Sequence, residues 1–154
     1  EPTDMTTSGI QKMEREHLDE VLLIETSSSL TPWSKEMFLE ELRNPLAHSF
    51  IYRVDNPQGH SLAGFICFRN VGEESELLNI CVHPLYRRKG IGRKLMQFYM
   101  EFGRAKQIKT FYLEVHVSNP PAIHLYQGFS YQPAGTRKTF YQGKFDALVM
   151  VKRA

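Results

Sequence analysis

Residues Asn79–Gln97 constrain the fold of this chain more tightly than any other stretch, because a strand, a basic turn and a helix follow one another there without a break. Ile80 and Val82 have the spacing of a buried strand end, and Pro84, which cannot continue a hydrogen-bonded ladder, marks the exit. Arg87, Arg88 and Lys89 then crowd a turn that opens at Gly90 and Gly92. From Ile91 onward, Leu95, Phe98 and Phe102 recur at helical spacing and make one apolar face. A helix start presents free backbone N–H groups and the positive end of a dipole, so it attracts anions. Glycines let a phosphate come close to the backbone. The stretch therefore suggests a seat for a phosphate or pyrophosphate. It contains neither a Gly-x-x-x-x-Gly-Lys-Ser/Thr loop nor a full Gly-x-Gly-x-x-Gly. Charge and glycine alone fit equally well a solvated, basic helix start whose glycines serve packing.

The remaining segments alternate strand and helix signals around this unit. Ile10–Met13 reads as a short strand and Glu14–Ser28 as a helix. Ser34 is placed to cap a second helix carrying Met37, Phe38, Leu39 and Leu42, which Asn44-Pro45 stops. Strands are predicted at Ser49–Val54, Leu62–Arg69 and Glu76–Val82, with turns at Asp55–Gly59 and Gly72–Glu74. Such short links argue for an antiparallel meander. The helix from Ile91 to about Lys106 crosses over to a strand at Thr110–Val117, which should run parallel to Glu76–Val82. Ser118–Pro121 opens another helix that ends at Gly128–Tyr131. Strands at Tyr131–Thr136 and Ala147–Lys152, linked through Tyr141–Lys144, complete the chain.

With 154 residues the chain can form one domain that buries roughly two-thirds of its unfolded surface. A single domain over residues 9–154 is expected, preceded by a polar, aperiodic flexible tail at Glu1–Ser8 in which Met5 is a candidate natural start. A formal net charge of +2 is too small to argue for a nucleic-acid partner. No apolar run reaches membrane-spanning length and no signal peptide is visible, so a cytoplasmic protein without a membrane partner is expected, as a monomer or weak dimer. Cys67 and Cys81 sit in apolar strand-like runs and are read as buried, reduced thiols, with a disulfide as the alternative. No cluster has the spacing of metal ligands, and no metal is expected.

Two residues beyond the basic turn have chemical potential. In Phe111–Val117, alternation puts Phe111, Leu113 and Val115 on one face and Tyr112, Glu114 and His116 on the other. Glu114 is thus a carboxylate within an apolar strand beside the phosphate unit, suited either to a general base or to an ordinary ion pair. Tyr126 lies one helix further on, where a tyrosine is either a proton donor or simply core.

Arg87-Arg88-Lys89-Gly90-Ile91-Gly92, preceded by a strand ending Val82-His83-Pro84, resembles the Gln/Arg-x-x-Gly-x-Gly/Ala signature of the GNAT N-acetyltransferases. Ser118-Asn119-Pro120-Pro121-Ala122-Ile123-His124-Leu125-Tyr126 resembles that family's Ser-Asn-x-x-Ala-Ile-x-Leu-Tyr. The resemblance extends over nearly the whole chain. It is strongest to the RimI-like branch, which acetylates the N-terminal alanine of a ribosomal protein, through Pro32-Trp33-Ser34, Leu78–Val82 and Leu113-Glu114-Val115-x-x-Ser118-Asn119. It implies the GNAT α/β fold: a mixed, mostly antiparallel sheet of six to seven strands, a central parallel pair and about four flanking helices.

The resemblance also implies roles. The turn Arg87, Arg88, Lys89, Gly90, Ile91, Gly92 and Arg93 would grip the pyrophosphate of acetyl-CoA, and Ile80, Cys81 and Val82 would pair with its pantetheine arm. Asn119 and Tyr126 would contact the same co-substrate, with Tyr126 as the acid and Glu114 as the base. The Thr31–Ser34 turn and the Thr139–Lys144 loop would flank the acceptor, with Trp33, Phe140 and Tyr141 as lining or as mere filler. The chain departs from the family where Ser130 replaces a usual glycine and Gly128 appears two residues earlier. Either Ser130 adopts a left-handed conformation, or the helix ends early at Gly128. The implied activity is acetyl transfer to the N-terminus of a protein, a ribosomal protein in particular. The alternatives are a lysine side chain, a polyamine or other small amine, or a CoA-binding module without turnover.

Overall fold

The structure, a computed structural model, describes residues 9–56, 59–141 and 145–154, with side chains outside 56–60 and 138–145. Seven strands form one sheet: β1 (Ile10–Lys12), β2 (Ala47–Asn56), β3 (Gly59–Val71), β4 (Glu74–Val82), β5 (Thr110–His116), β6 (Gln132–Tyr141) and β7 (Phe145–Arg153). Their spatial order is β1-β2-β3-β4-β5-β7-β6. The helices are α1 (Leu18–Ser28), α2 (Lys35–Arg43), α3 (Ile91–Ala105) and α4 (Pro120–Gln127). Among the described residues β4 and β5 are the parallel pair, joined through α3, and the other paired strands run antiparallel. The expected mixed sheet and its flanking helices are thus observed. The expected tail, residues 1–8, lies outside the described residues.

The apolar runs of β2 and β3 are continuous because both faces of the sheet are covered. Phe65 and Cys67 face Val21, Ile24 and Phe38 of α1 and α2. Ile66 and Phe68 face Leu95, Met96 and Tyr99 of α3. Phe68 lies 4.4 Å from the Tyr99 ring and 5.1 Å from Phe102, while Phe98 stands edge-on to Phe50 at 4.7 Å. The Ile91–Phe102 stripe therefore packs as its spacing predicts. Ser34 caps α2 by accepting the Met37 N–H at 3.2 Å.

Some boundaries shift for local reasons. The first turn of the expected Glu14–Ser28 helix is a 3-10 turn, Arg15–His17, in which the Glu14 N–H donates to His17 Nδ1 at 2.8 Å. Thr139–Tyr141, expected in a loop, belong to β6. Thr136, Thr139, Phe140 and Tyr141 are β-branched or aromatic, a preference that the intervening Arg137 and Lys138 mask. Ser130 resolves the departure noted above. It sits at φ 71°, in the left-handed region, whereas Gly128 caps α4 in an ordinary right-handed conformation at φ −63°. Left-handed backbone costs a non-glycine residue about 1–2 kcal/mol, part of which glycine's greater unfolded freedom offsets. Ser130→Gly is expected to stabilise the fold by about 0.5 kcal/mol, raising Tm by roughly 1–2 °C in a calorimetric scan.

Candidate active site

The site begins with an irregularity in β4. Cys67 of β3 stands opposite Asn79, but Phe68 stands opposite Leu77, so Leu78 is an extra residue on β4. A bulge bends its strand. The parallel pairing of β4 with β5 runs from Glu74 opposite Thr110 to Leu77 opposite Leu113 and stops where the bulge begins. Beyond it β4 follows β3 and β5 follows β7. The parted ends enclose a cleft of about 260 Å³. Asn79, Ile80 and Val82 form one wall and Glu114, Val115 and His116 the other. Asn119 and Tyr126 close it from α4, Gly92 from the start of α3, and Glu25 and Trp33 from the side of α1.

The edge of β4 that faces this cleft carries backbone groups turned toward it. His83 donates its N–H to Ala63 O at 2.7 Å. By the alternation of an antiparallel ladder, Val82 directs its own N–H and C=O away from β3, into the gap. The Val82 carbonyl accepts Arg87 Nε at 3.3 Å.

At the mouth of the cleft the basic turn adopts left-handed backbone at Arg88 (φ 63°) and Gly90 (φ 80°). Gly90 is the N-cap of α3 and has no side chain to satisfy the first N–H groups of the helix; a Cβ built there meets nothing within 4 Å. The Lys94 N–H is bonded to the Gly90 carbonyl, so the preceding helical N–H groups point out of the helix end. Arg88 and Lys89 are exposed beside them. Arg87 turns elsewhere: its Nη2 donates to Ser28 Oγ at 2.8 Å and braces α1 against the exit of β4. The Arg93 guanidinium lies over the Phe129 ring, 5.7 Å from its centroid. Ile91 is buried in the core.

On the β5 wall of the cleft Glu114 Oε2 pairs with Arg137 Nη2 at 2.9 Å, the carboxylate side chain being 18% exposed. Arg137 stands on β6 opposite Ala147 of β7, whose methyl group leaves room for the guanidinium to reach across to β5. Glu76 shares this sheet face. Burial and then the charge of Glu114 push its carboxyl above the usual range, with Arg69 and Arg137 acting against them. Burial also lowers His116 below the usual imidazole value, so its ring is neutral at pH 7. Tyr126 is 6% exposed and packs 5.9 Å from the Tyr131 ring. The side chain of Asn119 caps α4, its Oδ1 accepting the Ala122 N–H at 3.3 Å.

The cleft thus brings together Trp33, Ile80, Val82, Gly92, Glu114, Asn119 and Tyr126 of the residues singled out from sequence. Cys81 does not line the cleft: its side chain is buried against Glu25 and its backbone stands opposite Phe65 in the ladder with β3. Phe140 and Tyr141 lie on β6, and their side chains fall outside the described residues, as do residues 142–144. Sequence reasoning missed Arg137 as the partner of Glu114, and it missed Glu25 as part of the wall. For Glu25 a signal existed: Leu18, Val21, Leu22 and Glu25 share one helical stripe, and an acid on an apolar stripe is out of place. Among the described residues no three His, Cys, Asp or Glu side chains cluster as a metal site needs, and no helix is long and apolar enough to cross a membrane.

The two thiols are unsuited to nucleophilic chemistry. Both cysteines are free and buried. Burial pushes Cys67 up to about 12, and burial together with Glu25 raises Cys81 as well. Thiolate is the reactive form. Native protein at pH 8 is therefore expected to resist alkylation, with both thiols reacting only after denaturation; mass spectrometry counts the adducts.

The sequence model described as the acetyltransferase (GNAT) family matches residues 15–131. A protein of Bacillus subtilis (strain 168), named provisionally as a ribosomal protein bS18-alanine N-acetyltransferase, is 39% identical over 147 residues, covering 94% of this chain and 95% of its own length. The ribosomal protein bS18-alanine N-acetyltransferase of Escherichia coli (strain K12) is 30% identical over 144 residues, 92% of this chain and 94% of that protein. The crystal structure of the ribosomal-protein-S18-alanine N-acetyltransferase from Escherichia coli superposes with a TM-score of 0.83 at 29% identity, over 94% of this chain and 92% of that one.

Proposed function

From the premise that this chain belongs to the GNAT acetyltransferase family, we propose that it moves the acetyl group of acetyl-CoA to the N-terminal α-amine of a protein, a ribosomal protein beginning with alanine in particular. The observation that carries the proposal is the parting of β4 from β5 at Leu78, with Glu114 and Tyr126 on the same cleft.

The residues present fit the co-substrate. The uncapped start of α3, the open space before Gly90 and the exposed Arg88 and Lys89 suit a pyrophosphate. The free edge of β4 at Ile80–Val82 suits a chain of amides, which pairs with a strand as a peptide does. When bound there, acetyl-CoA supplies an acetyl group activated as a thioester.

Each residue then has a task. Glu114 takes a proton from the incoming ammonium; an α-amine with a pKa of about 8 needs only modest help. Arg137 holds the carboxylate in place. The Val82 N–H is assigned to the carbonyl oxygen, where negative charge develops. Tyr126 Oη holds the proton that the leaving sulfur takes up. Transfer is direct, with neither cysteine as a relay. The reading includes a single cytoplasmic domain, a monomer or weak dimer, that works without metal, nucleic acid or membrane.

The test is free-CoA release with alanine-starting peptides, lysine peptides and polyamines run side by side. The proposal expects the alanine-starting peptides to be preferred. Activity on polyamines alone contradicts it. A lysine acceptor would also betray itself by a rate that rises at more alkaline pH, since its amine has a pKa of about 10.4.

A further inference from the structure

The carboxylate of Glu25 has no task in the chemistry proposed above, yet it bonds both the Trp33 segment and the β4 wall of the cleft. Glu25 lies near the end of α1 and is 1% exposed. Its Oε2 accepts the backbone N–H of Trp33 at 2.8 Å. Its Oε1 accepts Asn79 Nδ2–H at 3.1 Å and the Cys81 S–H at 3.4 Å. A carboxylate so deeply buried is tolerated only when its oxygens are hydrogen-bonded, so the donors are fixed by it as firmly as it is by them.

The two sets of donors differ in how else they are held. Asn79 and Cys81 belong to β4, opposite Cys67 and Phe65, and the β3–β4 ladder keeps that strand in place without Glu25. Trp33 lies in the segment between α1 and α2. There the Thr31 N–H turns back to Ser29 Oγ at 3.2 Å, within the segment itself, and the Trp33 ring leans on Phe38 at 5.0 Å. The bond from Trp33 N–H to Glu25 ties the backbone of this segment to α1 and, through the other oxygen, to β4.

Resting on the reading of the cleft as an N-acetyltransferase site, we propose that Glu25 is a positioning residue that sets the height of the Trp33 segment above the free edge of β4, and thereby the fit of the acceptor peptide. Its contribution lies in the reach of the side chain and in the acceptor it presents to the Trp33 N–H rather than in its charge. Gln keeps that reach. Its oxygen can take the Trp33 N–H, and its amide can donate to Asn79 Oδ1 once the Asn79 amide turns over. Asp keeps the charge but is one methylene short.

The chain contains a single tryptophan, so Trp33 emission reports on this segment independently of catalysis. The experiment compares wild type with Glu25→Gln, Glu25→Asp and Glu25→Ala, using Trp33 emission, acrylamide quenching and steady-state kinetics with an alanine-starting peptide. Glu25→Asp and Glu25→Ala are expected to shift the emission to the red, increase quenching and raise the peptide KM about tenfold, because the Trp33 N–H loses its acceptor. The KM for acetyl-CoA should move by less than about twofold, because β4 stays on β3. Glu25→Gln should match wild type in emission and in peptide KM. Where Glu25→Ala fails to fold, the contrast between Gln and Asp decides. The reverse order, with Asp like wild type and Gln impaired, overturns the proposal in favour of a role for charge. Unchanged emission and peptide KM in Glu25→Asp overturn it too, as does an acetyl-CoA KM that rises in step. A wild type that transfers no acetyl group to any peptide defeats the functional reading instead, and the emission series still judges the tie between Glu25 and Trp33.

Discussion

Replacing Glu114 by Gln is expected to lower kcat roughly a hundredfold, within the range lost when a positioned general base is removed. The substitution keeps the volume of the side chain and its place on β5. It removes the negative charge that pairs with Arg137 at 2.9 Å. Arg137 is 57% exposed on its side chain, so water replaces the lost partner and the fold is retained. The binding of acetyl-CoA, measured by calorimetry, should stay as in wild type, because the groups assigned to it lie on β4, at the start of α3 and on α4 rather than on β5. The pH dependence should change in a defined direction. Without a base the rate follows the fraction of substrate amine that is already neutral, so it climbs with pH up to the amine pKa of about 8. The deficit is therefore largest near pH 6 and narrows above pH 8. An unchanged pH–rate profile would remove Glu114 from the role of base.

Tyr126→Phe should cost a similar factor, roughly a hundredfold in kcat, by removing one positioned proton donor. The ring is 6% exposed and packs against Tyr131, contacts that Phe preserves. Thermal stability should consequently change by no more than about 1 kcal/mol, the usual net worth of one hydrogen bond. Both KM values should stay near wild type, since the proton is needed as the carbon–sulfur bond breaks rather than when the substrates bind. Full activity in the folded variant would exclude Tyr126 as the acid.

How far these residues could be found without the structure depended on the kind of signal each left. Glu114 was visible because a strand alternates with period two, and a carboxylate within Phe111–Val117 breaks an apolar run. The helix at Ile91–Ala105 and its basic approach were visible because spacing, glycine and charge coincide over a few consecutive residues. Arg137 was not visible as the partner of Glu114. It reaches β5 only because β7 inserts between β5 and β6 and places Ala147 in its path. Strand order is a long-range property that no local period encodes. The bulge at Leu78 leaves no mark in an apolar run either, although the cleft depends on it. Arg87 shows a different limit. Its place in the turn was correctly read, but its side chain is spent on Ser28 and the Val82 carbonyl, and only the packing of α1 against the exit of β4 decides that.

The most direct test of the central claim is to locate the transferred group. A peptide with an N-terminal alanine and an internal lysine, incubated with the protein and acetyl-CoA, is fragmented in a mass spectrometer. The proposed activity predicts a single added acetyl group on the α-amine of the alanine, formed roughly a hundredfold more slowly by Glu114→Gln at pH 7. Acetyl groups found on the lysine alone, or transfer that persists undiminished in Glu114→Gln, would contradict it.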